Sequence, residues 1–196
     1  MQVPWRICSI HSDEYDNIPV FESAAELHRS AFGADRNAPD PLSKFRNLWY
    51  KHLGCSELVQ AFLVALSHDL KTDVLNVWGF ACAHPLMRDL DPALHDLLAF
   101  QTGMLLDVER TLLVSSLVGV GRDRLGARVL KDLVAACKSY AHKNEYEHLL
   151  LWQPMAPPEM AVHASMCGLE TYIAGRLLDD DHVIPPSAVI YWGATS

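Results

Sequence analysis

The chain has 196 residues, half of them apolar and a fifth charged, with a formal net charge of −8. Such a length and composition fit one folded domain with a full core, residues 1–196, and exclude a disordered or fibrous chain. The acidic balance excludes an extended basic surface for nucleic acid, and no apolar run approaches the roughly 20 residues that span a bilayer, so no membrane partner is expected.

The five cysteines, Cys8, Cys55, Cys82, Cys137 and Cys167, are scattered and form no Cys-x-x-Cys pair. An odd count without a short secreted framework or a signal-peptide pattern leads us to expect reduced thiols and a cytoplasmic location. The ten histidines show no His-x-x-x-His spacing, so no metal is expected.

In chain order, "WRICSIHS" reads as a short strand. Ser23 to Phe32 reads as a helix, with Ser23 as its cap and Ala24, Leu27 and Ala31 at helical spacing. "LSKFRNLWYKHLG" reads as a second helix closed by Gly54. "ELVQAFLVALSHD" and "VLNVWGFACAHP" read as an antiparallel hairpin of buried strands, the first also compatible with a helix. "LDPALHDLLAFQTGMLLD" has helical spacing, and "RTLLVSSLVGV" is a strand. From Leu125 the period becomes 3.6, with Leu125, Val129, Leu133, Ala136, Cys137 and Tyr140 on one face of a helix of about five turns. "HLLLWQP" is a strand stopped by Pro154, "PPEMAVHASMCG" a helix ended by Gly168, and "ETYIAGRLL" and "AVIYWG" are closing strands. "AVIYWG" reads either as an edge pairing with a second copy, giving a homodimer, or as a strand covered within the chain. The result is a mixed α/β domain in the order β-α-α-β-β-α-β-α-β-α-β-β.

The junction "SLVGVGRDRLGARVL" carries the chemistry. Gly119 and Gly121 permit a turn, Gly126 keeps the first helical turn bare, and Arg122, Arg124 and Arg128 add charge. A helix N-terminus leaves about four N–H groups unpaired and carries partial positive charge, which suits a phosphate. The absence of Gly-Lys-Ser/Thr excludes a P-loop, and the third glycine of a dinucleotide fingerprint is missing. A strand-to-helix turn with surface arginines remains the plain alternative.

The order of elements resembles that of the Gcn5-related N-acetyltransferase (GNAT) superfamily over nearly the whole chain. That family's pyrophosphate motif, Gln/Arg-x-x-Gly-x-Gly/Ala, is met here in degenerate form, as Gly121-x-x-Arg124-x-Gly126 or Arg122-x-x-Leu125-x-Ala127. "WGFACAHP" looks like the family's third strand. "LLLWQP" looks like its fifth, with Gln153 where an Asn before Pro is frequent. "ASMCGLETY" is similar to its Tyr-x-x-x-Gly-Phe turn, with Gly168-Leu169 at the Gly-Phe pair.

The resemblance implies a mostly antiparallel sheet with helices on both faces and splayed fourth and fifth strands. It implies acetyl-CoA or another acyl-CoA as co-substrate, its pantetheine against main chain of Val118, Gly119 and Val120. Its phosphates would be held by amides from Arg122 to Ala127, that is by Arg122, Asp123, Arg124, Leu125, Gly126 and Ala127, beside Gly121 and Gln153. The partner would be a primary amine on a small molecule or peptide. The residues from Ala34 to Leu53 and from Met87 to Glu109 would wall its site.

Acyl transfer to an amine needs a proton acceptor for the amine and a proton for the departing thiolate. The family's Tyr falls here on Ala164, which leaves Ser165, His163, Tyr172 or water as the acid, Ser165 being equally a plain small helix residue. Glu109, then Asp107, are candidate bases that also read as solvated acids. His84, before Pro85, is a further candidate on the acceptor side or a structural histidine, and a Cys167/His163 pair lacks a third orienting group. Two rival readings stand beside the enzyme. One is a silent GNAT-fold protein that binds coenzyme A or a partner; the other is an interaction domain with Arg122, Arg124 and Arg128 as an anion-docking patch.

Overall fold

Alternating apolar residues build a sheet with two buried faces in this computed structural model, which describes residues 5–10, 18–32, 61–69, 74–86, 108–120, 124–153, 165–174, 178–179, 182–183 and 189–195. In chain order the elements are β1 (Arg6–Ile10), α1 (Ile18–Phe32), β2 (Ala61–Asp69), β3 (Val74–Pro85), β4 (Thr111–Gly119), α2 (Arg124–Lys143), β5 (His148–Gln153), β6 (Glu170–Ala174), β7 (Leu178–Asp179), β8 (His182–Val183) and β9 (Val189–Ala194). A turn of 3₁₀ helix, Val108–Arg110, leads into β4. Seven strands form one sheet in the order β1-β2-β3-β4-β5-β9-β6, while β7 and β8 pair separately. The β4–β5 pair is parallel, joined through α2, and the other sheet pairs are antiparallel. The apolar run at residues 61–69 is therefore a strand and not a helix.

The faces sort by alternation. Ala61, Leu63, Ala81, Ala83, Leu112, Val114, Leu149 and Leu151 pack against Val129, Leu133, Val134, Cys137 and Ala141 of α2. Phe62, Val64, Phe80 and Val118 point to the other face, onto Val20, Phe21, Ala24 and Ala25 of α1. Phe62 lies 5.7 Å from Phe21 and 5.6 Å from Phe80 between ring centroids, within the range of favourable aromatic pairs. Helices thus lie on both faces, as the resemblance implied.

Two local expectations change. Helix α1 begins at Ile18 with Pro19 in its first turn, where a missing N–H costs nothing. Ser23 is consequently inside the helix, its hydroxyl donating to Pro19 O at 2.9 Å, and is no cap. "AVIYWG" is β9, inserted between β5 and β6. Both of its edges are paired within the chain, so of the two readings of this strand the covered one holds. The expected helices over residues 42–54 and 90–107 lie outside the described residues.

Candidate active site

The site is built where β4 and β5 part. Their pairing covers four positions only, Thr111↔His148, Leu112↔Leu149, Leu113↔Leu150 and Val114↔Leu151. Beyond them β4 stays with β3 as far as Gly119↔Gly79, and β5 stays with β9 as far as Gln153↔Val189. The two strands therefore fork after Val114 and Leu151, which is the expected splay, and Gln153 ends the β5 arm. Each arm stays paired with its outer neighbour, so the gap is a feature of the sheet and not a fraying of one strand.

A β-bulge marks the vertex. The β3–β4 register shifts between Cys82 and Ala83, leaving Ser115 as the extra residue on β4. The shift lets Val114 and Leu117 face α2 together, while Ser116 and Val118 face the α1 side. Two hydroxyls thus sit at the fork, Ser115 donating to Cys82 O at 3.5 Å. The sequence reading did not single out this pair. The only signal was two polar residues side by side in an otherwise apolar strand.

Main-chain direction on the β4 arm follows from one hydrogen bond. Val120 N–H donates to Trp78 O at 2.8 Å, so the groups of Val120, and by alternation Val118, turn to β3. Those of Gly119 turn to the fork. Of the three residues expected to present main chain to a pantetheine, Gly119 is the one whose groups face that side.

Gly119 also has a different role from the turn-maker expected of it. Among the described residues Gly168 is the glycine with positive φ, 75°. Gly119 is extended, and a Cβ there would come 3.1 Å from Leu130 Cγ and 3.2 Å from Gly126 O. Its partner Gly79 is tighter still, at 2.6 Å from both Val118 O and Val129 Cγ1. The two opposed glycines let the first turns of α2 lie directly on the sheet, beside the open end of the fork.

Helix α2 supplies the charge. It starts at Arg124, carries no acidic residue in its first turn, and exposes Arg124 and Arg128 at i and i+4 on one face. Gly126 is buried, with Leu125 and Ala127 half-buried beside it. A long helix end of this kind attracts an anion through its N–H groups and dipole. Gly121, Arg122 and Asp123 lie outside the described residues. Acyl-CoA would fit this frame: an extended arm along the Gly119 side of β4, leading to a phosphate at a cationic helix start.

The expected catalytic residues scatter. Glu109 is exposed in the turn before β4, at the closed end of the sheet. It is five residues from Val114, about 16 Å of extended chain, beyond the reach of a base or a one-water relay. Ser165 is exposed at the head of a turn closed by the 2.9 Å bond from Gly168 N–H to Ser165 O. That turn docks along the middle of α2, where Cys167 Sγ donates to Lys131 O at 3.7 Å. Burial raises the Cys167 thiol above its ordinary range while Lys131 and Lys138 oppose the shift, which does not make an activated nucleophile. Gly168 takes the left-handed conformation that favours glycine, and Leu169 is buried in the α2-side core, as their place in a Gly-Phe-like turn requires. His163 and Asp107 lie outside the described residues.

His84 is different. It is 1 % exposed, one of three buried polar residues among the described residues, and its Nδ1 lies 2.9 Å from Pro85 O. It pairs with Leu113, one position before the vertex, on the face opposite Ala83 and α2.

No family model and no curated protein sequence matches the chain. Solved structures do match its fold. The aminoglycoside 6'-N-acetyltransferase from Enterococcus faecium superposes with a TM-score of 0.60 at 9% identity over 97% of each chain. An N-acetyltransferase from Staphylococcus aureus Mu50 gives 0.60 at 10% over 98% of this chain and 99% of that one. A spermidine N-acetyltransferase chimera from Vibrio cholerae gives 0.56 at 11% over 98% and 96%. The fold is that of the GNAT acetyltransferases.

Proposed function

We propose that this chain, which carries the GNAT fold, is an acyl-CoA-dependent N-acyltransferase that acylates a primary amine. The observation that carries the proposal is the fork itself. β4 and β5 pair over four positions and then separate beside the start of α2, whose first turn is cationic. Similar proteins act on aminoglycosides and spermidine, which supports a small amine as acceptor.

Bound acyl-CoA would supply an activated acyl group. The chain's own work is positioning, which can contribute much of the rate when reacting atoms are held at near-attack distance. Gly119 main chain would align the pantetheine arm, and its N–H side could polarise a carbonyl as charge develops. The N–H groups from Arg124 to Ala127 would hold the phosphates, with Arg124 as counter-charge. The residues at 163–165 would stand in for the family's missing Tyr, Ser165 or a water delivering a proton to the departing sulfur.

Calorimetric titration with acetyl-CoA and with free coenzyme A tests the reading. Wild type should bind both at micromolar concentration. Arg124→Glu should weaken binding by about tenfold or more, while leaving the helix intact, because an acid in a first turn favours the helix dipole. No binding of acetyl-CoA, coenzyme A or a longer acyl-CoA to wild type would overturn it.

A further inference from the structure

We propose that the outer face of α2 docks an acidic carrier protein, one that presents its acyl group on a phosphopantetheine arm and lays a helix along the cations of this face. The inference rests on the acyltransferase reading above and names a partner for its donor side.

Charge is segregated onto this helix. α2 holds five of the sixteen Lys and Arg residues and one of the twenty-four Asp and Glu residues, which leaves +4 on the helix and −12 on the rest of the chain. Arg124, Arg128, Lys131, Ala135, Lys138 and His142 fall at i, i+4, i+7, i+11, i+14 and i+18, one stripe opposite the buried Val129, Leu133 and Cys137. Arg124, Arg128, Ala135 and His142 are exposed, and Lys131 and Lys138 are half-buried. The one acid of α2, Asp132, turns to the β1 side, where its Oδ2 accepts from Trp5 Nε1 at 3.0 Å. Among the described residues none of Arg124, Arg128, Lys131 and Lys138 forms an ion pair. Arg124 and Arg128 at i+4, and Arg128 and Lys131 at i+3, are like-charge neighbours, which destabilise a helix. An anionic partner removes that cost.

An apolar contact stands beside the stripe. The turn at 165–168 docks on α2 through Cys167 Sγ and Lys131 O, and Lys138 Nζ lies 3.5 Å from where a Cβ at Gly168 would be. Met166, in the same turn, is 59 % exposed. Met and Arg are enriched where proteins meet, and a row of cations attracts an acidic surface from a distance. Cations flanked by an exposed Met therefore fit an acidic amphipathic helix. From Arg124 to Lys138 the stripe is about 21 Å long, enough for roughly four turns of such a helix.

The position of the stripe selects the partner. It begins at the helix start that the reading above assigns to the phosphates of coenzyme A. In a carrier protein the same pantetheine arm hangs from a single phosphate joined to a serine of the protein. With that phosphate at the start of α2 and the arm along Gly119, the carrier's body lies just outside the helix start, against the cations of α2. The acidic remainder of this chain repels an acidic body, so the stripe also fixes its orientation. A nucleic-acid duplex meets the same repulsion over a longer surface, which disfavours it.

The test titrates the full chain into a purified, fluorescently labelled acidic acyl carrier protein, without its arm and with an acetylated arm, and reads anisotropy. The acetylated form should bind wild type at micromolar concentration and more tightly than the armless form, and raising salt from 50 to 300 mM should weaken it about tenfold. Lys131→Glu/Lys138→Glu should weaken both forms at least tenfold, with the acetyl-CoA Kd within twofold of wild type. Lys131→Gln/Lys138→Gln, the milder pair, should show the same loss at smaller size, and Met166→Ser should weaken binding about threefold. Arg6→Glu/Lys143→Glu reverses two exposed charges off the stripe and should leave carrier affinity within twofold. Equal loss in the two reversal pairs overturns the proposal, as does a wild type that binds acetyl-CoA but neither form of the carrier. So does a short DNA duplex that binds wild type more tightly than the carrier, or a wild-type dimer that Lys131→Glu/Lys138→Glu dissolves, which gives the face to a second copy. A wild type that binds neither acetyl-CoA nor carrier overturns the acyltransferase reading together with the docking face.

Discussion

At the scale of single residues, the close approach of α2 to the sheet depends on what is missing at two positions. A methyl at residue 79 would stand 2.6 Å from Val118 O, a backbone atom with nowhere to go. At residue 119 the nearest atom belongs to the Leu130 side chain, which can give by a few tenths of an ångström. Gly79→Ala should therefore cost roughly 2–3 kcal/mol, in the range of overpacked cores, and Gly119→Ala about 1 kcal/mol. Urea unfolding of the two variants checks the order; equal costs would mean that α2 is not seated as described. Glu145 poses the converse case, since a non-glycine residue there has φ 63° just past the end of α2. Glu145→Gly should raise stability by about 0.5–1 kcal/mol, the left-handed penalty less the extra chain entropy of glycine, and a lowered Tm would refute this.

At the scale of elements, legibility follows the range of the forces involved. Helix α2 could be read almost whole, because a 3.6-residue apolar period states both its existence and its buried face, and Val129, Leu133 and Cys137 are indeed in the core. The start of helix α1 is hidden in the sequence, since Ser23 offers a cap signal inside a segment whose true start is set by Pro19 and by the burial of Val20 and Phe21. Strand β9 could be recognised but not placed. Nothing local in "AVIYWG" says that its neighbours are β5 and β6, because strand order is fixed by loop closure and facing surfaces. Strand β1 is tied to the rest by a long-range contact that no pattern announces. Trp5 Nε1 donates to Asp132 Oδ2 at 3.0 Å, and its ring lies 5.8 Å from Trp78. Trp5→Phe keeps most of the packing and loses the charge-assisted bond, so it should cost about 1–2 kcal/mol. Paired with Asp132→Asn in a double-mutant cycle, the two changes should be non-additive; strict additivity would show that the contact does not hold β1 to α2.

At the scale of the whole molecule, the sheet is packed on both faces, under α2 on one and α1 on the other. The helix start beside the fork was legible, because glycines and arginines before a helix are a local pattern. The vertex was not, because Ser116 and His84 lie 32 residues apart in the chain and meet only through the β3–β4 pairing and its bulge. The α2 face has a titration signature of its own. Cys137 is fully buried on the sheet side of α2, and that burial, with nearby Cys167, pushes its thiol up to about 12. Below pH of about 8.5, the ordinary thiol value, folded and unfolded chains both hold this proton. Above it the unfolded chain releases the proton and the folded one does not, so the unfolded state binds fewer protons and stability falls as pH rises. The slope is about 1.4 kcal/mol per pH unit for one thiol, or about 2 kcal/mol lost between pH 8.5 and 10. Urea unfolding at pH 7.5, 9 and 10 should show this decline, and Cys137→Ala should flatten it by that amount. Tyr140 and Tyr146, also raised by burial, act in the same direction but chiefly above their ordinary value near 10, which is why the series stops there. An unchanged slope in Cys137→Ala would mean that this thiol ionises without unfolding the core and that the α2 face admits water.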